Sequence, residues 1–244
     1  MRIYEIILLV LLINVTFTLP SKSEMIANIK KSTTIKGEKK NTFIVIGKLL
    51  LNIGYEPTFV AGILANIYYE GSIGRFESSK YKNENRKPQY LKYMDEFYNY
   101  REKYSHKLIT EVSLKELSKL MELLHSQNWK KGKFGLGCVQ WTGERTRKLV
   151  KLYVEEAKGR DRIYLDEATS AEGKMIINEF NGRYKKVYNE WKNNNIRRLE
   201  TVNAAYEAGS IVCRKYEVPA GYMKKGDIRG KFAINVFKIM ANMK

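Results

Sequence analysis

The sequence predicts a mainly helical single domain with a small irregular or β insert. Three observations carry that expectation. Apolar residues recur at spacings of three and four along most of the chain. Gly and Pro fall where these runs end. One segment, "FGLGCVQWTG", sets three glycines among Leu136, Val139 and Trp141, which suits a turn or short strands better than a helix. With 244 residues, 44% of them hydrophobic, the chain is long enough for one sizeable core.

Residues 1–23 are expected to stand apart from the domain. Arg2 gives a short charged start, an apolar run covers Ile6 to Ile13, and Ser21 and Ser23 have the small-x-small spacing of a cleavage site. This is a secretory signal pattern, with cleavage expected after Ser23. An uncleaved anchor is the alternative, although the run is short for a span. No later segment approaches about 18 apolar residues, so the mature chain is expected to be soluble, secreted and extracellular. Asn14 lies in an N-x-T sequon inside this leader, and no other sequon follows.

Residues 24–40 are basic and weakly patterned and read as a loose lead-in. The domain proper is assigned to 41–244. "TFIVIGKLLLNIGYEP" predicts a buried helix of about three turns ended by Gly54. Pro57 suits the first turn of the next helix, whose Val60, Ile63, Leu64 and Ile67 share a face. Gly71 closes that helix as a C-cap. A loop region follows to about residue 110, with one short helix near "YLKYMDEFYNYREKY". "SLKELSKLMELLHSQ" opens with a capping box, Ser113 and Glu116, and buries Leu114, Leu117, Met121 and Leu124. Further helices are expected from about Gly143, over "TSAEGKMIINEFNGRYKKVYNEW" behind a second box of Thr169 and Glu172, over "RRLETVNAAYEAGSIVCRKYE" up to Pro219, and over "GKFAINVFKIMANMK".

Charge and cysteine bound the partners. The formal net charge is +18, from 44 basic and 26 acidic residues. Such a field concentrates polyanions, either nucleic acid or an anionic cell surface. A recognised nucleic-acid motif is missing and the leader points to export, so no nucleic acid is expected. Two cysteines, Cys138 and Cys213, favour one disulfide in a secreted chain, worth about 2–4 kcal/mol. Two buried free thiols are the alternative. His106 and His125 lack companions at metal-ligand spacing, so neither metal nor cofactor is expected.

Two segments carry candidate chemistry. Glu70 ends a greasy helix and is followed at once by Gly71. The negative end of the helix dipole and a desolvating surround would both keep such a carboxyl protonated, as a general acid requires. A solvated last-turn Glu is the plain alternative. Asn66 lies one turn earlier, placed to bond a substrate or to orient the acid. In "GLGCVQWTGER", Gln140, Trp141 and Thr142 supply an amide, a flat apolar face and a hydroxyl, which suit sugar binding. A core Trp beside a turn glycine fits the same residues.

"FVAGILANIYYEGS" followed by "FGLGCVQWTGERTRKLVKLY" resembles the phage tail-type lysozymes, a branch of the lysozyme-like peptidoglycan hydrolases. The match covers Ala61, Gly62, Ile63, Asn66 and Glu70, then Gly137, Gln140, Trp141, Thr142, Gly143 and Arg145. "YEVP" at 216–219 is similar to the family's closing Y-E-x-P. The resemblance implies a lysozyme-like α+β fold. It implies Glu70 as the general acid between N-acetylmuramic acid and N-acetylglucosamine. Gln140 and Trp141 would line the groove, with Asn66, Thr142 and Arg145 as further substrate contacts. Bacterial peptidoglycan and anionic walls would be the partners, and a monomer is expected. Cys138 and Val139 depart from the usual pattern before the Gln. No second carboxylate is assigned: Glu77 and Glu144 are near the motifs but match no pattern. A non-catalytic module that binds cell wall or another polyanion is the competing class.

Overall fold

The computed structural model describes residues 18–77, 103–126, 135–219 and 221–243, with the backbone alone for 123–126. The expected leader lies outside these residues up to position 17, as does the short helix expected near 90–104 for most of its length. The described residues are mainly helical, and the expected insert is present as isolated antiparallel bridges, Arg75 with Leu108 and Leu136 with both Phe76 and Trp141. None of their helices is long and apolar enough to cross a membrane.

Helix α1 (Lys22–Lys31) corrects the expected lead-in. Ser21 caps it, and Glu24 accepts from the Ser21 backbone N–H at 2.8 Å, closing a capping box. Met25 and Ile29, one turn apart, are buried, and Asn28 donates to the Met240 carbonyl at 3.0 Å. Sparse apolar residues thus suffice for a helix when a neighbour covers them. The cleavage expected after Ser23 falls inside this helix's first turn.

Helix α2 (Gly37–Asn52) leads through Gly54 to α3 (Pro57–Glu70), with Pro57 in the first turn as expected. Residues 58–67 of α3 are buried all round, not on one face only. That requires neighbours on every side. A Cβ at Gly62 would meet the Gly209 backbone nitrogen at 2.7 Å, so α8 (Val202–Val212) crosses in direct backbone contact. α9 (Tyr222–Ala241) packs against both, and it begins well before the expected "GKFAINVFK".

The remaining helices are α4 (Leu114–Ser126), α5 (Glu144–Glu156), α6 (Leu165–Asn181) and α7 (Lys185–Asn195). Ser113 caps α4, accepting from Glu116 N at 3.2 Å, while the Glu116 side chain turns to Lys103 and Tyr104. The second capping box is not formed. Thr169 sits inside α6 and donates to the Leu165 carbonyl one turn back. Glu167 supplies the capping carboxylate instead, accepting from Tyr164 N at 3.0 Å. The single helix expected over 169–191 is two, broken at Gly182. α8 starts at Thr201, whose hydroxyl accepts from Ala204 N, and its end widens into a π-turn, Cys213–Glu217.

Candidate active site

The end of α3 is where the two sequence segments meet. Gly71 is extended, at φ −159°, so it does not cap the helix by a left-handed turn. Its missing Cβ serves another purpose. A Cβ there would strike the Gly137 carbonyl and would meet Gln140 Nε2 at 2.7 Å. The Gly135–Trp141 turn therefore lies directly against the residue after Glu70. Gln140, at φ 52°, donates from Nε2 to Gly137 O at 2.8 Å and to Arg75 O at 3.1 Å. Its Oε1 is buried without a partner among the described residues.

Glu70 is ion-paired with Arg229 of α9; the side chains are 20% and 5% exposed. Arg229 Nη1 donates to Asn66 Oδ1 at 3.0 Å, and Asn66 Nδ2 donates to Gly62 O and Gly209 O, each at 2.9 Å. Every polar atom of Asn66 is thus used inside the protein, and the residue is 1% exposed. Of the two roles expected of Asn66, substrate contact and orienting the acid, these bonds fit the second: it holds the guanidinium that pairs with Glu70. The desolvating surround expected of Glu70 also holds a charged partner, this guanidinium. Lys39 of α2 covers the carbonyl end of α3, donating to Ile67 O at 3.0 Å and to Gly71 O. Burial pushes its pKa down to about 8, against the pull of Cys138, Glu70 and Glu38.

Two further carboxylates hold the turn. Glu172, fully buried, accepts from Gly74 N at 2.5 Å, Cys138 N at 2.7 Å and Tyr153 OH at 2.7 Å. Burial raises its pKa, opposed by these donors. Glu179 accepts from Trp141 Nε1 at 2.9 Å, from Tyr216 OH at 2.6 Å and from Arg145 Nε and Nη2 at 2.7 and 2.9 Å. The Arg145 guanidinium also stacks 4.7 Å from the Tyr216 ring centroid. Burial of Arg145 is more than offset by Glu179 and Tyr216, and its pKa is raised.

Trp141 is accordingly not a groove residue, and the Arg145 guanidinium, 20% exposed, is taken up by Glu179. Trp141 is 0% exposed, with its one donor bound to Glu179. Thr142 is half-buried next to it. Glu144 is exposed in the first turn of α5, where Arg147 donates to it at 3.3 Å. Glu77 pairs with Gly135 through backbone and side chain, accepting from its N–H at 3.2 Å. The Cys138–Cys213 bridge is not formed. Both cysteines are free and buried, Cys138 in the turn beside Glu172, and Cys213 at the mouth of the π-turn, its Sγ 3.9 Å from the Tyr222 carbonyl.

Of the expected site residues, the structure brings together Glu70, Asn66 and Gln140, and it turns Trp141 into the core. Sequence reasoning missed Arg229, Lys39, Glu172 and Glu179. Arg229 and Lys39 stand in basic runs without pattern, and Glu172 carries the spacing of a capping box. The family model described as phage tail lysozyme matches residues 45–240. No match to the chain is found among the curated proteins or the solved structures. A buried helix that ends in a partly exposed Glu, set against a Gly-rich turn that carries Gln140, is the arrangement the resemblance leads one to expect, and over residues 45–240 the chain belongs to the phage tail lysozyme family of lysozyme-like peptidoglycan hydrolases.

Proposed function

We propose that the protein is a secreted lysozyme in which Glu70 is the general acid, protonating the glycosidic oxygen between N-acetylmuramic acid and N-acetylglucosamine. One observation carries this reading. Glu70, the one acid of α3, stands at the end of a helix buried over residues 58–67, next to Gly71 on which the Gln140 turn packs, and it keeps 20% of its side chain open. Arg229, Asn66 and Lys39 leave it little freedom, and a catalytic carboxyl gains from that preorganisation. The leaving sugar oxygen is a poor leaving group until protonated, and general acid catalysis is worth roughly 10²–10⁴-fold. Protonation with departure of that oxygen leaves an oxocarbenium-like centre for water to attack. The +18 charge supports attraction to anionic walls, and the leader supports export.

Glu70→Gln tests the reading. The variant is expected to fold and to bind walls while losing turbidity clearance by roughly 10²-fold or more. Mass analysis of digested peptidoglycan separates hydrolysis, with reducing ends, from transglycosylation, with anhydro ends. A folded Glu70→Gln that cleaves at the parent's rate removes Glu70 from the chemistry. Walls that are bound and never cleaved by the parent would instead mark a binding module.

A further inference from the structure

Arg229 is 4% exposed, and an arginine is buried to that extent only when its donors are taken up. Its backbone is pinned first. A Cβ at Gly209 would lie 2.6 Å from the Arg229 carbonyl oxygen, so α8 and α9 touch through main chain at this residue. The guanidinium then reaches from α9 to the last turns of α3. Nη1 donates to Asn66 Oδ1 at 3.0 Å, and Nη2 donates to Glu70 Oε1. The Tyr69 ring centroid lies 5.8 Å from the Arg229 guanidinium carbon, and that ring is held edge to face by Phe232 of α9, at 5.8 Å between centroids.

Asn66 decides which way these bonds run. An amide NH2 has two donors, and both are in use, on Gly62 O and on Gly209 O, each at 2.9 Å. Turning the amide over would set Oδ1 against two carbonyl oxygens. Oδ1 therefore has to face the guanidinium, and Nη1 is taken. Nη2 is left for Glu70, and it binds one oxygen only. Oε2 accepts from no described residue, and the Glu70 side chain stays 20% exposed. A guanidinium offers donors alone, so Oε1 serves as an acceptor wherever it is bound this way. The two oxygens of one carboxyl are thus made unequal by a network that starts at the backbones of α3 and α8.

Resting on the reading of Glu70 above, we propose that Arg229 is a positioning residue of the reaction: it holds Oε1 of Glu70 and so assigns Oε2 to meet the glycosidic oxygen, with Asn66 setting the guanidinium. The last torsion of a glutamate is broad, so an unanchored carboxyl presents either oxygen over a wide range of directions. One anchored oxygen removes that freedom before the substrate arrives, and a misplacement of about 1 Å costs on the order of 10²-fold in rate. Arg229 itself is sealed between α3, α8 and α9, at 5% side-chain exposure, and acts on the sugar only through Glu70. Its contribution therefore belongs to the chemical step and not to substrate binding.

The experiment measures kcat and KM on soluble peptidoglycan fragments for the parent, Arg229→Met, Glu70→Gln and the double variant, each checked for folding by thermal melting. Arg229→Met is expected to lower kcat by roughly tenfold to a hundredfold with KM near the parent's. In the Glu70→Gln background the same change is expected to leave the residual rate where it was, because Arg229 acts through Glu70. A folded Arg229→Met with the parent's kcat overturns the proposal. So does a loss that lies in KM, or a further fall of equal size in the double variant. Arginine side-chain NMR of the parent adds a measurement that needs no variant and no lytic activity. The Arg229 guanidinium should show separate, slowly exchanging Nη resonances, and a freely rotating group overturns the proposal. If Glu70→Gln cleaves at the parent's rate, the lysozyme reading of Glu70 fails, while the NMR still decides whether Arg229 is anchored. An inactive Glu70→Gln beside a fully active Arg229→Met removes the role of Arg229 alone.

Discussion

The backbone N–H of Cys138 donates to Glu172 Oε2 at 2.7 Å, joining the turn that lies against Gly71 to a residue of α6 34 positions further on. With Gly74 N and Tyr153 OH also donating to it, Glu172 is an all-acceptor hub. An amide in its place must turn an NH2 towards at least one of these donors. Glu172→Gln is expected to destabilise the protein by about 1–3 kcal/mol, the cost of a buried donor left unpaired. Urea denaturation reads it, with clearance activity falling as the turn loosens. A variant as stable as the parent would show that Glu172 does not hold the turn.

Trp141 separates a core role from a sugar-stacking role. Trp141→Phe keeps an aromatic ring in the core and removes only the donor to Glu179 and part of the volume. It is expected to cost about 1–3 kcal/mol of stability with KM for peptidoglycan fragments unchanged. A raised KM at unchanged stability would return Trp141 to the groove.

Lys39 gives a prediction with a pH signature. Its pKa is lowered from 10.5 to about 8, mainly by burial, so the folded protein holds this proton less tightly than the unfolded chain does. Between about 8 and 10.5 the unfolded state binds more protons, and stability contributed at this site therefore rises with pH. Relative to Lys39→Met, the parent is expected to gain stability as pH rises through that window. The Lys39→Met variant should also show lower clearance activity, because Gly71 loses its donor. Side-chain NMR that places the Lys39 titration near 10.5 would contradict the burial found here.

The cysteines are the simplest check. Burial pushes the Cys138 thiol well above its ordinary pKa, and Cys213 is raised by burial as well. Neither should react with a thiol reagent in the native protein, and both should be alkylated once the unreduced protein is denatured. Added reductant should leave the thermal midpoint unchanged. A single Cys138–Cys213 linked peptide pair in unreduced material would restore the bridge that the sequence favours.

Local pattern determined much of this protein. The helical class, Pro57 at the start of α3, Gly54 beyond α2, Ser113 as a cap and the irregular segment before Trp141 all follow from residue spacing and backbone preference, which act within a few residues. The meeting of Glu70 with the Gln140 turn was legible for a similar reason, since two short motifs stand in one chain in the right order. Tertiary structure decided the rest. Met25 and Ile29 are buried because α2 and α9 pack against α1. Thr169 is no cap because the residues before it are already helical. Trp141 is buried with its donor on Glu179, which also takes up Arg145, and Asn66 serves Arg229 because Gly62 and Gly209 bring two helices within reach of its amide. Arg229, Glu172 and Glu179 come from positions remote in the chain from the groups they serve. A buried charge is stabilised by whichever partner the fold brings close, and that choice is made by the packing of helices, which no local spacing encodes.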